Sequence, residues 1–278
     1  MTRKLEAVVC DLDGSLLNSR KTVSEEDRKT IQTLKKKGVR FHIISGRPHP
    51  FSRQIAEDTG FDSPVSCCNG AYIYDFQKDE VLFHTALIDL EDVLAIRDYC
   101  KEHGISYLLY SLEGVIFDRP DSRRCLNWKK QNDTVFKEGN KISFVYDCDG
   151  PDLSDLHFVK LLIPYVTEEE IEGIRERFDK DDKYEFVLSE KAVLDINTKG
   201  IHKGFALKTL SERYGFSLEN TLALGDNFND VEMLEEAGYP IVPENGEEEV
   251  KEKACFITAD NDHDPLTHAI RKLFPELL

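Results

Sequence analysis

An apolar run that ends in two carboxylates sets the frame for this chain: Val8-Val9-Cys10-Asp11-Leu12-Asp13-Gly14. A short apolar run of this kind reads as a buried strand, and an unpaired aspartate is costly in the core that such a strand enters. Asp11 and Asp13 therefore belong at the strand's carboxyl tip, where an open α/β sheet presents side chains to its ligand crevice, and Gly14 lets the backbone turn away behind them. Two carboxylates at one tip can divide a reaction. One, ionised, attacks an electrophile such as phosphorus, while the other protonates the departing oxygen and later deprotonates water. Asp11, the leading residue, takes the nucleophile's place. Asp-Gly after a strand is also ordinary turn chemistry, so the decision rests on distant stretches.

Beyond Gly14 the chain alternates between helix and strand. Ser24 with Glu25, Glu26 and Asp27 forms a capped, acidic helix start; Ile31 and Leu34 give an apolar face, and Lys35-Lys36-Lys37-Gly38 a basic end and a stop. Val39–Ile44 reads as the next strand, so the opening predicts a parallel pair joined by a right-handed crossover. A helix at 50–59, a strand at 65–68 and a turn at Asn69-Gly70 into Ala71–Tyr74 continue the pattern. From about residue 83 helices at 91–103, 121–131 and 167–180 mix with strands at 105–110, 114–118, 157–163, 184–188 and 192–197. That mixture predicts helices on one antiparallel sheet, an inserted α+β domain, with 132–155 rich in turns. From about 201 the alternation returns, with strands at 221–224, 240–242 and 255–257 and helices at 202–213, 229–237, 246–252 and 264–273. The expected fold class is α/β: a parallel-sheet core from residues 1–82 and 191–278, with 83–190 inserted as a lid.

Composition bounds the function. With 278 residues, 40% apolar and 32% charged, the chain suits a globular protein with a sizeable core. No apolar run reaches the roughly 18 residues of a membrane helix, and Met1–Glu6 leads only into the short run ending at Asp11, which reads as no signal peptide. A cytoplasmic location with no membrane partner is expected. Lys and Arg number 36 against 53 Asp and Glu, and the net charge of −17 opposes extended contact with nucleic acid or anionic lipid. A small anionic substrate stays compatible where a metal or a local cluster supplies positive charge. The seven cysteines, without C-x-x-C spacing, read as reduced thiols.

Three later stretches bear on the opening pair. Ile43-Ile44-Ser45-Gly46-Arg47 repeats its geometry: a strand ends in a small hydroxyl residue and glycine, which either cradle phosphate oxygens or cap the next helix. Arg47 either senses an anion or pairs with a nearby acid. His202-Lys203-Gly204 opens a helix, where a lysine opposes the macrodipole and needs a compensating partner; a phosphate and Asp11 would supply it, with Lys199 as the competing lysine. Gly225-Asp226-Asn227-Phe228-Asn229-Asp230 closes another apolar strand. Magnesium takes one or two carboxylates plus waters and phosphate oxygens, a requirement that Asp11 with Asp226 meets. Asn229 and Asp230 fall at a helix start, where they either hold Lys203 and waters or cap the helix; Asp230 reads as a supporting group rather than a ligand.

Asp11-Leu12-Asp13-Gly14-Ser15, Ser45-Gly46-Arg47, Lys203-Gly204-Phe205-Ala206-Leu207 and Gly225–Asp230 resemble, in order, the four motifs of the haloacid dehalogenase superfamily. The insert's place between the second and third motifs, and Asn69-Gly70-Ala71, resemble its Cof-type (class IIB) subgroup. The resemblance implies a Rossmann-like core, a mobile cap and Mg²⁺-dependent hydrolysis of phosphate esters. It implies Asp11 as nucleophile and metal ligand, and Asp13 as general acid/base that also ligates Mg²⁺ through its backbone carbonyl. By the same likeness Ser45, Gly46, Lys203 and Asn229 hold the phosphoryl group, Asp226 completes the metal site, and Asp230 supports it. Ser15 departs from the threonine usual there but keeps the hydroxyl. The implied substrates are small phosphorylated metabolites, sugar phosphates or cofactors such as flavin mononucleotide and pyridoxal phosphate, handled by a monomer or homodimer. Trp128, Arg123, Arg124 and Lys129 of the insert either touch substrate or belong to its surface and core. Two alternatives carry different chemistry: a sugar phosphomutase using the same carboxylates, and a non-catalytic ligand-binding module, which would have no need of Asp13.

Overall fold

The computed structural model describes residues 4–60, 63–178, 182–190 and 192–278. The chain opens with β1 (Ala7–Cys10), α1 (Glu25–Lys36), β2 (Arg40–Ile44), α2 (Arg53–Thr59), β3 (Val65–Cys67), β4 (Tyr72–Asp75) and β5 (Glu80–His84). The middle supplies α3 (Leu90–His103), β6 (Leu108–Ser111), β7 (Val115–Phe117), α4 (Arg123–Thr134), β8 (Val145–Tyr146), β9 (Phe158–Pro164), α5 (Glu168–Phe178), β10 (Tyr184–Glu190) and β11 (Val193–Thr198). The last part contributes α6 (Lys203–Tyr214), β12 (Thr221–Leu224), α7 (Val231–Glu236), β13 (Tyr239–Pro243), α8 (Glu248–Lys251), β14 (Phe256–Thr258) and α9 (Pro265–Leu273).

The first and last parts share an eight-stranded sheet in the order β14-β13-β12-β1-β2-β3-β4-β5. Pairing is parallel from β14 to β3 and antiparallel at β4 and β5. From β1 the chain steps outward to β2 and β3; from β12 it steps the other way, so the strand order reverses between β1 and β12. In an open α/β sheet that reversal opens a crevice at the strands' carboxyl ends. Both strands are buried along their whole length, as a sheet covered on two faces demands. Val8, Cys10, Leu222 and Leu224 pack with Ile31 and Leu34 of α1 and Leu266 and Ile270 of α9. Ala7, Val9 and Ala223 face the other way, onto Ala206, Leu207 and Leu210 of α6 and Met233 and Leu234 of α7. Alternate side chains of one strand thus anchor helices on both sides.

The middle part forms a six-stranded sheet, β10-β11-β9-β6-β7-β8, antiparallel except between β7 and β8. One face carries α3 and α5 through Val93, Ile96, Ile171 and Ile174 against Leu161, Ile163, Leu194 and Ile196. The other face turns to the core, where Leu108, Tyr110, Leu162 and Val193 join the large sheet's apolar cluster.

The α/β architecture with a parallel core sheet agrees with the sequence reading, and several boundaries move. The expected insert limit at 190 splits a hairpin: β10 and β11 pair over Tyr184–Thr198, so 193–198 belongs to the second sheet and not to the core sheet. The expected limit at 83 falls inside β5, which pairs with β4 in the core sheet and was not expected as a strand. Apolar alternation is weak there, and pairing with β4 is a non-local fact. The helix expected at 229–237 begins as a 3₁₀ turn at Phe228–Asp230, and that expected at 246–252 is reduced to Glu248–Lys251. Among the described residues no helix is long and apolar enough to cross a membrane.

Helix α1 is docked by hydrogen bonds as well as by its apolar stripe. Asp27 is fully buried, and its Oδ1 accepts from the Thr267 amide at 2.8 Å and the Thr267 hydroxyl at 2.7 Å, whereas Oδ2 is buried without a partner. Burial pushes this carboxyl up to about 6, with the Thr267 hydrogen bonds opposing. A carboxyl raised in the fold favours its protonated form there, so its contribution is greatest below about pH 4 and declines as pH rises towards 6. The decline amounts to about 3 kcal/mol. Asp27→Asn keeps the acceptor and cannot titrate, so its Tm relative to wild type is expected to rise between pH 4 and 7; paired thermal melts at the two pH values check this.

Candidate active site

Three strand tips meet at the reversal point. Asp11 follows β1 and its amide donates to the Leu224 carbonyl at 2.8 Å, which ties it to the tip of β12. Ser45 follows β2, and Gly225-Asp226 follows β12. Asp11, Ser45 and Asp226 are all buried. Gly14 has φ +83°, and a Cβ there would lie 2.2 Å from Asp226 Oδ2, so only glycine lets the first loop pass the second carboxylate. Ser15 Oγ donates to Asp226 Oδ1 at 2.7 Å, a use for the hydroxyl that the residue's place in the sequence does not disclose.

Lys203 is the first residue of α6 and is 1% exposed. Its ammonium lies 2.7 Å from Asp11 Oδ1 and 2.6 Å from Asp230 Oδ1. Those two carboxylates are the compensation that a lysine at a helix start needs. The competitor, Lys199, is half-exposed and pairs with Asp182 and Glu185. Asp230 Oδ2 accepts from the amides of Asp226 and Asn227, both at 3.0 Å, and closes a capping box with Asn227. Asp230 therefore commits both oxygens to protein donors, while Asp11 and Asp226 each have one oxygen in these contacts. Asn229 Nδ2 donates to Asn69 Oδ1 at 3.3 Å.

Asp11, Asp226 and Asp230 offer carboxylate oxygens that all lie within 4.8 Å of one another. Burial pushes Asp11 up, Lys203 opposes, and Asp230 adds to the rise, leaving it at about 7. Burial, then Asp230 and Asp11, push Asp226 well above the usual carboxylate range. Burial alone would lower Lys203, but Asp11 and Asp230 outweigh it and hold the ammonium above its ordinary value. Buried carboxylates that resist ionising together form a site for a further cation, and an all-oxygen donor set fits a hard one such as Mg²⁺.

Asp13 meets a different field. Arg47 Nε and Nη2 reach its two oxygens at 2.6 and 2.7 Å, and Lys21 Nζ reaches Oδ1 at 2.7 Å. Burial would raise this carboxyl, yet Arg47 and then Lys21 hold it well below the usual range. Arg47 thus pairs with an acid, the second of its two sequence readings. The guanidinium also stacks over Trp128 at 5.1 Å.

A cavity of about 820 Å³ stands over these groups. Asp11, Asp13, Ser45, Gly46, Asp226 and Asn229 line it from the core sheet. Tyr110, Arg124, Trp128, Gln131, Lys160 and Asp195 line it from the second sheet and α4. Lys203 does not line it, since it sits behind Asp11 and Asp230. Of the insert residues singled out in the sequence, Arg124 and Trp128 reach the cavity, whereas Arg123 lies over Tyr165 and Lys129 over Tyr146. Sequence reasoning missed Lys21, Lys160 and Asp195. The last two carried a signal: single charges inside the apolar strands Phe158–Pro164 and Val193–Thr198.

A family profile described as haloacid dehalogenase-like hydrolase matches residues 8–270. The chain belongs to the haloacid dehalogenase-like hydrolases. A 5-amino-6-(5-phospho-D-ribitylamino)uracil phosphatase of Bacillus subtilis is 27% identical over 267 residues, 96% of this chain and 95% of that protein. A pyridoxal phosphate phosphatase of Escherichia coli is 27% identical over 266 residues, covering 95% of this chain and 96% of its own. A solved haloacid dehalogenase-like hydrolase from Bacteroides thetaiotaomicron is 26% identical with a TM-score of 0.80, over 98% of this chain and all (100%) of that one. The fold of this hydrolase is also that of a subclass IIB sugar phosphatase, TM-score 0.76 at 20% identity, with 98% of this chain and 100% of that one covered.

The repulsion within the acidic cluster is measurable. Asp226→Asn removes one charge and keeps an oxygen for Ser15, so with EDTA at pH 8 the variant is expected to melt about 2–4 °C above wild type. Millimolar Mg²⁺ is expected to raise the wild-type Tm and to leave the variant's nearly unmoved, as thermal melts with and without the ion will read out.

Proposed function

We propose that this hydrolase is a Mg²⁺-dependent phosphatase that cleaves small phosphate monoesters through an aspartyl-phosphate on Asp11. The observation that carries the reading is the Asp11 carboxylate itself. One oxygen is held by Lys203, and the residue lines the cavity beside Ser45 and Asp226. The names of the relatives, phosphatases acting on a phosphoribitylamino-uracil and on pyridoxal phosphate, support phosphorylated small molecules as the substrate class.

In the proposed cycle Lys203 orients Asp11 by its Oδ1, so that the other oxygen attacks phosphorus; the new O–P bond forms as the ester O–P bond breaks. Ser45 and the Gly46 loop donate to the phosphoryl oxygens, and Asn229 faces the same corner. Asp13 gives a proton to the departing oxygen, then takes one from the water that attacks the aspartyl-phosphate, releasing phosphate and restoring Asp11. Arg47 and Lys21 must loosen before Asp13 can hold that proton, so substrate arrival and the state of this ion pair are linked. Asp11, Asp226 and the Asp13 carbonyl would hold Mg²⁺, which supplies Lewis-acid withdrawal of phosphoryl charge and offsets the carboxylates' repulsion. Residues of the second sheet and its helices, from about 88 to 198, act in this reading as a cap that excludes bulk water and selects the leaving group.

Phosphate release from an aryl phosphate tests the reading. Asp11→Asn is expected to lower kcat by on the order of 10³-fold or more, and EDTA to abolish turnover until Mg²⁺ is restored; equal release by both proteins would refute it. A phosphorylated isomer accumulating in place of free phosphate would move the assignment to a mutase. Asp13→Asn is expected to slow alkyl phosphates more than aryl phosphates, because only the poorer leaving group needs the proton; the ratio of the two rates decides.

A further inference from the structure

A second lysine, on the cap side of the cavity, is as buried as Lys203. Lys160 lies in the middle of β9 and is 1% exposed. Its ammonium lies 2.7 Å from Oδ2 of Asp195, a fully buried residue in the adjacent β11. The pair does not close on itself. Lys160 Nζ also donates to the Gly46 carbonyl at 3.0 Å, and Asp195 Oδ2 also accepts from Asn69 Nδ2 at 2.8 Å. Asn69 Oδ1 in turn accepts from Asn229 Nδ2 at 3.3 Å. Asn197, on the same face of β11 as Asp195, donates to the Cys68 carbonyl at 3.1 Å. One hydrogen-bonded chain therefore runs from the loop after β12, through the turn after β3, into two strands of the cap sheet, and back to the loop after β2.

Stability does not account for this arrangement. A buried ion pair holds a fold no better than well-packed apolar residues of the same volume. Asp195 Oδ1 is moreover buried with no hydrogen-bond partner, which is unfavourable. Cys68 and Asn69 hold φ of +52° and +61°, in the left-handed region that side chains rarely adopt and that tends to persist where function requires it. The network converges on Gly46. A Cβ there would lie 3.1 Å from Asn69 Oδ1, 3.6 Å from Lys160 Nζ and 3.9 Å from Asn229 Nδ2. Lys160 also lines the cavity beside Ser45 and Gly46, which Lys203 does not, and its ammonium, beyond its contacts with Asp195 and Gly46, lies over the Tyr110 ring at 5.2 Å to the centroid.

We infer that Lys160, held by Asp195, is a further positioning residue: it locks the Ser45-Gly46 loop in the geometry that receives phosphate and brings a positive charge from the cap to that corner. The reaction it serves is the proposed phosphatase reaction, on which the inference rests, but its own claim concerns anion binding and holds for every leaving group. The double variant Lys160→Met with Asp195→Leu removes the pair without stranding a charge, so folding is expected to survive. With Mg²⁺ present, its affinity for inorganic phosphate by calorimetry is expected to fall 10-fold or more, with an equal or larger fall in kcat/KM for sugar, aryl and pyridoxal phosphates alike. Lys160→Gln with Asp195→Asn, which keeps the shape and leaves no charge unpaired, is expected to fall between the two and serves if the first double variant does not fold. Unchanged phosphate affinity in a folded variant overturns the inference. So does a loss confined to one leaving group, which would make Lys160 a selector of substrates. Wild-type protein that binds phosphate but turns over no ester would refute the phosphatase reading alone, and the calorimetric comparison would still decide the role of Lys160.

Discussion

A single buried ammonium makes the centre of this molecule possible. Asp11, Asp226 and Asp230 are close enough to share one ion, and each is removed from water. Like charges so placed would drive the strand tips apart or force protonation of the carboxylates. Lys203 bridges Asp11 and Asp230 and so joins the end of β1, the start of α6 and the loop after β12. The cost of a lysine at a helix start, where the dipole disfavours positive charge, is offset by its two carboxylate partners. Asp226 has no cation of its own among these contacts, only the Ser15 hydroxyl on Oδ1, and its carboxylate lies close enough to the other two for the three to hold one ion.

The parallel sheet explains why these groups meet at all. β1 lies between β2 and β12, so residues following three strands that are remote along the chain emerge side by side. Each tip couples a largely buried strand to a polar residue, Asp11, Ser45 or Asp226, that lines the cavity. Burial of a strand side chain contributes roughly 1.5–3 kcal/mol, and a tip carried on several such residues is held in place by the core beneath it. Side chains on such a platform need little further ordering when a ligand arrives.

The second sheet completes the site and changes its electrostatics. A chain of net charge −17 is a poor host for phosphate in general. Around the cavity, however, Arg20, Lys21, Arg47, Arg124, Lys130 and Lys160 stand among the lining residues with Asp11, Asp13, Asp195 and Asp226. The cations outnumber the lining carboxylates, and acidic groups farther off than the Debye length of ~10 Å are largely screened. The Lys160–Asp195 pair and the Arg47 guanidinium lie inside the protein, where screening by salt is weak, whereas Asp13 keeps part of its carboxylate exposed.

Much of this was legible in the primary structure, for a definite reason. An apolar run that stops at aspartate, serine or Gly-Asp points to the carboxyl tip of a strand, so Asp11, Ser45 and Asp226 could be placed at strand tips from local pattern, and the returning alternation after 201 marked the core's second half. The limits of the insert were not, because β11 reads equally well as a core or a cap strand until its register with β9 and β10 is known. Partners of charges were hidden for the same reason. Arg47 meets Asp13 and Lys160 meets Gly46 across separations that no periodicity encodes. Residue types and their order along the chain settled which chemistry was available; the packing of two sheets decided which charge faces which, because Coulomb and hydrogen-bond energies depend on distance in space and not on distance along the chain.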